Sequence, residues 1–587
     1  MTKIITSPIF DTDFYKVGHA SQYPKGTKKI YSNMTPRSAR LFKGSKFFDD
    51  KVVVIGLQSF VQEYLIDTWN NEFFKKSKEE IIEAYIETMD FSLGEGVVLP
   101  DHVVALHDLG YLPLRIKAIE EGNRVNIRVP ITTITETISE FFWLVNYLET
   151  PKSSELWHPM TSATTAFEFK RIFVDAAIKT GSPVDFAALQ GHDFSARGMQ
   201  NRQSASKNIG HLLPFIGTDT ISAIQWIKKY YFPSEGDPVG VSVPATEHSV
   251  SSLNIALNMI RTGCSQLEAE RQFIKRLITE QYPTGIVSIV SDTYDYYSII
   301  TEVIPSLKEE IMSRQPNAIG LNKVVVRPDS GDPVRIICGD EFKTIKNEPD
   351  TLDEWKEWVA ESMDDQFRTN LDAEEPHSSE TELWQRGNEY YKVTYEPDLN
   401  RHDKQYYYVD NYGSAVSRCE FTGITPTPEQ KGSIQCLWET FGGTITSTGH
   451  KLLDEHIGLI YGDSITLARA QEIMDRLADK GFASGNVVMG IGSYEYGMKS
   501  RDTFGFAIKA TYAEVDDLKI DIYKDPKTGD GTKTSAKGLL RVEKEGDDYV
   551  LYDQQETDEG GELKVVFEDG VAHNIQTWDE IKARLNK

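Results

Sequence analysis

The sequence predicts an α/β protein: a parallel β core, built as a β/α barrel or a doubly wound sheet, with mixed β structure toward both ends. Two observations predict the core. Apolar runs of strand length recur through the middle of the chain, and each ends in a carboxylate or a glycine turn: Gly285-Ile-Val-Ser-Ile-Val290 before Ser291-Asp292, Val324-Val-Val326 before Arg327 and Asp329, Leu459-Ile-Tyr461 before Gly462-Asp463, and Val487-Val-Met489 before Gly490-Ile-Gly492-Ser493. Between the last two runs lies an amphipathic stretch from about Ile465 to Lys480, with Ser464 as its expected cap and Gly481 as its stop, which makes the unit strand–helix–strand. A third observation predicts the flanks: Leu112 to Thr135 reads as two alternating runs about a Glu121-Gly122-Asn123 turn, and mixed β text resumes after Arg501.

Of these elements the run before Arg327 is the most informative. Its valines suit a buried parallel strand, and Pro328 stops the ladder because it has no N–H to give. A cation and a carboxylate, two residues apart, are therefore delivered at a strand's carboxyl end, where parallel α/β folds bind ligands. The plain alternative is an ion pair at a turn.

Upstream, Asp13 to Arg37 is polar, aromatic and loop-like, and Ile138 to Leu148 is expected to be a helix burying Phe141, Phe142, Val145 and Leu148. Asp340 to Glu382 interrupts the strand–helix order with 15 Asp and Glu against 4 Lys and Arg, 11 of the 26 excess negative charges. It reads as a solvated insertion outside the core, with one helix marked by Leu352, Trp355, Val359 and Met363 and a later strand at Tyr406-Tyr-Tyr-Val409. A last helix is expected from Trp578 to Leu585.

Composition bounds the function. A chain of 587 residues with 40% hydrophobic and 26% charged residues is of ordinary globular type and long enough for two or three domains. A net charge of -26 argues against a nucleic-acid or anionic-membrane partner, so any bound phosphate needs a local positive pocket. The four cysteines have neither disulfide-framework density nor zinc-site spacing. Asp11 and Asp13 stand where a signal peptide needs an apolar core, and no run has membrane-spanning length, so a cytoplasmic protein is expected.

Several motifs carry chemistry. In Gly191-His-Asp-Phe194-Ser-Ala-Arg197-Gly198 an aromatic face and a guanidinium suit a flat heterocycle beside a phosphate, although a core phenylalanine and a surface ion pair would read the same. Asp219, in Gly217-Thr-Asp-Thr220, has a helix cap as its plain role. His248, in Ser242-Val-Pro-Ala-Thr-Glu-His-Ser, is either a structural hydrogen-bonder or a carrier of a proton or phosphoryl group.

Taken in order, Asp13-Phe-Tyr15-Lys16, His192-Asp-Phe194 with Arg197-Gly198, Gly217-Thr-Asp219-Thr220, Ser242 to His248, Val290-Ser-Asp292, Arg327-Pro-Asp329-Ser-Gly331, Gly462-Asp463, Ser500-Arg501-Asp502 and Lys524-Asp-Pro526 resemble the nicotinamide phosphoribosyltransferase family. The stretch from about Asp340 to Gly432 stands outside the resemblance, and the Gly490-Ile-Gly492-Ser493-Tyr494 loop has fewer glycines than the family pattern. The resemblance implies a type II phosphoribosyltransferase with an irregular β/α barrel-like core and a β-rich domain formed from both ends: residues 1–150, a catalytic part at 151–500 with an insertion at about 340–430, and residues 501–587 returning to the β-rich part.

It implies transfer of phosphoribose from phosphoribosyl pyrophosphate to nicotinamide, with Mg2+ and with ATP acting through a phosphohistidine at His248. Asp292, Asp329, Asp463 and His248 would serve the reaction. Phe194 and Tyr15 would sandwich the pyridine, with Asp13, Asp219 and Ser242 beside it. Arg327, Asp329, Gly462 and Asp463 would hold the ribose. Arg197, His248, Arg327, Gly492, Ser493 and Arg501 would serve the phosphates. Asp13 and Tyr15, with the basic Arg37, Lys509 and Lys524, would come from the second subunit of a homodimer. The nearest alternatives are a nicotinate phosphoribosyltransferase, a glycoside hydrolase with its carboxylates at barrel strand ends, and a non-catalytic nucleotide- or partner-binding barrel.

Overall fold

In the computed structural model the described residues are 5–318, 320–370, 380–396, 418–462, 464–524 and 535–586. At the centre is a six-stranded parallel sheet of β1 (Gly191–Asp193), β2 (Gly217–Thr218), β3 (Val287–Val290), β4 (Val324–Arg327), β5 (Ile457–Tyr461) and β6 (Val487–Ile491), in the order β2-β1-β6-β5-β4-β3. The two edges are joined by the segment 241–245. Gly217 bridges Val241 and Ala245 bridges Ser288, both parallel. Backbone bonds from Val241 N to Ile216 O (2.7 Å) and from Ser288 N to Pro244 O (2.9 Å) secure the seam. The core is therefore an irregular barrel, and the doubly wound alternative is excluded by this closure.

Around it run α1 (Glu149–Thr180), α2 (Ile221–Tyr230), α3 (His248–Thr262), α4 (Pro333–Cys338) and α5 (Leu467–Asp479). The cap of α5 is Thr466, whose side chain accepts from Arg469 N; the expected cap, Ser464, instead sits at φ 53°. Between Ile138 and Leu148 the chain forms a 3-10 turn (Ser139–Phe141) and a four-residue helix (Leu144–Tyr147), not one helix. The long helix comes next. At 32 residues α1 is buried along much of its length, with Thr161, Ser162, Thr164, Thr165 and Glu168 inside. Its threonines return their hydroxyls to carbonyls four residues back, Thr164 to Met160 at 2.8 Å and Thr165 to Thr161 at 2.9 Å, so the interior tolerates them.

A seven-stranded sheet unites the two ends of the chain, in the order Leu518–Asp521, Ala507–Val515, Thr27–Thr35, Thr132–Glu136, Leu114–Ala118, Lys564–Glu568, Val571–Ala572. Gly122 (φ 86°) makes the expected turn, and the last helix is Trp578–Leu585.

The insertion is more than a solvated loop. Its helix Leu352–Asn370 covers a three-stranded sheet of Glu380–Arg386, Glu389–Glu396 and Arg418–Ile424. Trp355, Val359, Met363, Trp384, Val393 and Tyr395 form a core of their own, separate from that of the barrel. The expected strand at Tyr406 to Val409 lies outside the described residues. Among the described residues no helix is long and apolar enough to cross a membrane.

Candidate functional site

Every barrel strand, and the seam segment, ends at one face, and the residues that leave those ends are the ones the sequence singles out. Phe194 follows β1, Asp219 follows β2, Ser242 lies in the seam and His248 follows it, Asp292 follows β3, Arg327 ends β4 with Asp329 just after it, Gly462 follows β5, and Gly492 with Ser493 follows β6. Asp463 lies outside the described residues.

Asp219 does not cap α2: the N-cap residue is Thr220, with no side-chain bond. Its Oδ1 instead accepts from His192 Nε2 at 2.9 Å and from Ser242 Oγ at 2.5 Å. Burial raises its pKa, but those two hydrogen bonds outweigh it and hold the carboxyl below its ordinary range, with the charges of His192 and Arg327 adding to the effect. The carboxylate only accepts, so His192 carries its proton on Nε2. The same imidazole lies against the Phe194 ring, centroids 4.7 Å apart. One histidine thus touches both the aromatic platform and the acid beside it.

The platform is set by the backbone. Phe194 N donates to Ile491 O (3.1 Å), and a Cβ on Gly490 would stand 2.5 Å from the ring, so glycine there lets the phenyl lie over β6. Ser493 fills the space a side chain on Gly198 would need. Phe194, Arg197, Gly198, Gly462, Gly492 and Ser493 line a cavity of about 330 Å³. A flat ring, a guanidinium and open backbone face one space, which suits an aromatic ring joined to a sugar phosphate.

On the other side of the mouth, Asp292 Oδ2 accepts from Asp329 N (2.9 Å) and Ser330 Oγ (2.6 Å), which fixes the turn after β4. Asp292 Oδ1 is buried without a hydrogen-bond partner, and the His248 Nε2 lies 3.7 Å from it. His248 Nδ1 is 3.2 Å from Thr293 Oγ1. Arg327 spends one terminal N–H on Thr246 O at 2.5 Å, while its buried Nε has no partner. Orphaned polar atoms of opposite character at two neighbouring strand ends leave room for a ligand to complete the bonding.

A second group lies apart, on the antiparallel sheet. Asp13 accepts from Thr150 Oγ1 (2.6 Å), Lys16 is paired with Glu149 (2.7 Å), and Arg37 Nε donates to Gly505 O (3.0 Å). Burial pushes the Lys509 pKa down; Glu149 opposes, while Arg37, Lys524 and Lys16 push the same way, so these cations share one neighbourhood. Arg501, beside Asp502 at 3.5 Å, acts on Arg37. Tyr15 is 66% exposed. Among the described residues no hydrogen bond or ion pair ties this group to Phe194, Asp219 or Arg327.

Sequence reasoning missed His192, Thr246, Thr293 and Ser330. His192 was within reach, because a histidine two residues before an aromatic on a strand shares its face; the other three act through contacts between distant segments.

Fold and site together define a phosphoribosyltransferase. The model of the Nicotinate phosphoribosyltransferase (NAPRTase) family matches residues 189–374 and 417–571, and that of the Nicotinamide phosphoribosyltransferase N-terminal domain matches residues 7–116. The chain belongs to the nicotinamide phosphoribosyltransferase family: it is 45% identical to the nicotinamide phosphoribosyltransferase of Acinetobacter baylyi, over 99% of this chain and 97% of that one. Similar proteins of the same description are those of Xanthomonas campestris pv. campestris, 28% identical over 98% of each chain, and of Mycoplasma pneumoniae, 27% identical over 90% of this chain and 93% of that one. Among solved structures, nicotinate-nucleotide pyrophosphorylase from Pyrococcus furiosus is similar at a TM-score of 0.45 and 12% identity, covering 100% of this chain and 97% of that chain.

Proposed function

We propose that the protein condenses nicotinamide with phosphoribosyl pyrophosphate to nicotinamide mononucleotide and pyrophosphate, as a step of NAD salvage. The observation that carries this reading is the Asp219 carboxylate, fixed through Oδ1 by His192 and Ser242 beside Phe194, with no hydrogen bond to Oδ2 among the described residues. An ionised acceptor next to an aromatic platform matches a ring that carries an NH₂ donor.

In the reaction the bond from the anomeric carbon to pyrophosphate breaks and a bond to the pyridine nitrogen forms, so positive charge builds on the sugar. Asp292 and Asp329 stand at that end of the barrel to stabilise it. Arg197 and Arg327 would draw off the pyrophosphate charge. Among the described residues no cluster of three or more His, Cys, Asp or Glu forms a metal cage. Mg2+ commonly takes one or two carboxylates and completes its shell with phosphate oxygens and water. The unpartnered Asp292 Oδ1 fits that use, with Asp329 beside it. Bound there, the ion would neutralise the departing pyrophosphate. The decisive assay incubates purified protein with nicotinamide and phosphoribosyl pyrophosphate and measures both products; release of free ribose phosphate instead would point to hydrolysis.

The working unit in this proposal is a homodimer with shared sites. Supporting it are the exposed Tyr15, the basic group set apart from the barrel mouth, and α3, which leaves Leu253 67% and Ile260 82% exposed. Tyr15→Ala and Arg327→Ala variants, each nearly inactive alone, should recover activity when mixed, because a mixed dimer regains one intact site. No recovery after verified subunit exchange would remove the shared-site reading.

ATP is proposed to enter through His248. The imidazole attacks the terminal phosphorus, ADP leaves, and the phosphoimidazole adds negative charge beside Arg327. Its side chain is half exposed and so open to a nucleotide. His248→Ala should keep a reduced synthesis that ATP no longer stimulates. A variant stimulated as strongly as the parent would take His248 out of this role.

A further inference from the structure

The insertion leaves the barrel after α4 and returns near Lys431, and at this neck lies a cavity of about 670 Å³. It is far larger than a bare phosphate needs and within the range of small-molecule sites. Gly339 (φ 77°) lines it, and next to it Gly432 (φ 80°) meets Gly339 where the outgoing and returning backbones touch too closely for a Cβ on either. Its rings are Phe342 and Tyr390, packed edge to face with centroids 5.0 Å apart, together with Trp384 and Phe482.

The charges facing it are unevenly satisfied. Asp340 is paired with Arg335 (2.7 Å), Glu341 with Arg476 (3.8 Å), Lys431 with Glu439 (2.8 Å), and Lys343 with Glu382. Two lysines differ. Lys451 places its ammonium over the Phe482 ring at 5.2 Å, and Lys480 donates to the carbonyls of Cys338 (2.5 Å) and Lys431 (3.0 Å). Among the described residues neither forms an ion pair with a carboxylate. Burial holds the Lys480 ammonium below its ordinary pKa, a penalty that a bound anion would offset. Asp479, exposed at the rim, is the one acid of the cavity without an ion pair among the described residues, so the unpaired charge is two cations against one anion.

We propose that this neck cavity is a second nucleotide-binding site, taking an aromatic base against Tyr390 and Phe342 and a phosphate between Lys451 and Lys480. Stacking on rings beside unpaired ammonium groups is the common chemistry of such ligands. The site is remote from the barrel mouth: α5 begins beside the turn after β5 and delivers Lys480 at its far end, and its 13 residues span roughly 20 Å.

The test titrates two fluorescent probes, etheno-ATP and etheno-NAD, into the full-length protein. Six chains are compared: the parent, Lys451→Gln, Tyr390→Ser, Arg197→Ala, and Arg197→Ala carrying each of the two groove substitutions. At least one probe should bind the Arg197→Ala chain, and that binding should weaken at least tenfold when Lys451→Gln or Tyr390→Ser is added to it. Both groove variants should keep the parent kcat/KM for nicotinamide without added nucleotide, which shows that the fold and the catalytic face are intact. The probe that binds tells an adenine nucleotide from a dinucleotide, and either supports the site. Two results overturn it: affinity unchanged in both groove variants, or loss of all binding in Arg197→Ala. Lys480→Gln is left out of the first round, because its two carbonyl bonds also tie the neck together.

Discussion

Asp219→Ser is expected to lower the preference for nicotinamide over nicotinate about a hundredfold, read as the ratio of their kcat/KM values. In the proposed complex the carboxamide would give its NH₂ to an ionised acceptor, whereas the carboxylate of nicotinate would face a second negative charge. Leaving a charge unpaired in a buried site costs roughly 3–5 kcal/mol. The Asp219 side chain is 44% exposed before a substrate covers it, so the low end applies, and about 3 kcal/mol corresponds to little more than two decades. Most of the change should come from nicotinate being admitted, with a smaller loss for nicotinamide. A pure helix cap predicts no change, because serine caps as well as aspartate; the bonds to His192 and Ser242 already argue against that role. Asp219→Asn separates charge from shape, since the amide keeps an acceptor but removes the repulsion. If both variants keep the parent ratio, Asp219 does not choose the substrate.

How far the sequence carries the fold depends on how local the signal is. The four runs that read as strands in a row are β3, β4, β5 and β6, because each is a short, mostly apolar run of the kind a buried parallel strand needs. β1 and β2 are three and two residues long, and their Gly191-His-Asp and Gly217-Thr have no apolar period to find. The closing segment 241–245 makes only isolated bridges, so the barrel's closure was invisible. The long helix α1 escaped for a different reason: its buried threonines and serines break the apolar stripe that marks a helix, and hydroxyls such as those of Thr164 and Thr165 are tolerated there because each finds an acceptor four residues back. The insertion's core joins Trp355 on a helix to Trp384 and Val393 on strands that follow it, a partnership that excess acidic charge masks.

The site was more legible than the fold, since strand-end motifs carry their residues with them. Phe194, Asp219, Asp292, Arg327, Asp329 and Ser493 all reach the barrel mouth. What spacing does not carry is pairing. Nothing in the local text says that Asp292 holds the backbone of Asp329, or that Arg327 donates to Thr246, 81 residues before it.

Asp292 offers the second large effect, and it separates scaffolding from charge. Its Oδ2 takes the Asp329 N–H and the Ser330 hydroxyl, and hydrogen bonds to a charged acceptor contribute roughly 1.5–3 kcal/mol each. Its Oδ1 takes nothing, although it is buried and 3.7 Å from His248. A residue needed only to hold the turn would use both oxygens on the protein. In the proposed reaction this unpartnered oxygen would serve the reacting system, as a countercharge to the cationic sugar or as a ligand to magnesium. Asp292→Ala removes both functions and should nearly abolish activity. Asp292→Asn is the informative variant: its carbonyl oxygen can still accept from Asp329 and Ser330, while the charge is gone. We expect it to fold, with a modest fall in melting temperature because a neutral amide oxygen accepts more weakly, and to lose about 10²–10³ in kcat/KM, chiefly in kcat, the scale typical of removing one electrostatic group from a transition state. Raising the magnesium concentration should restore part of the loss if metal affinity is what fell, and none of it if the sugar cation has lost its countercharge. An Asp292→Asn variant within about threefold of the parent in kcat/KM would reduce Asp292 to a scaffold for the Arg327–Gly331 turn.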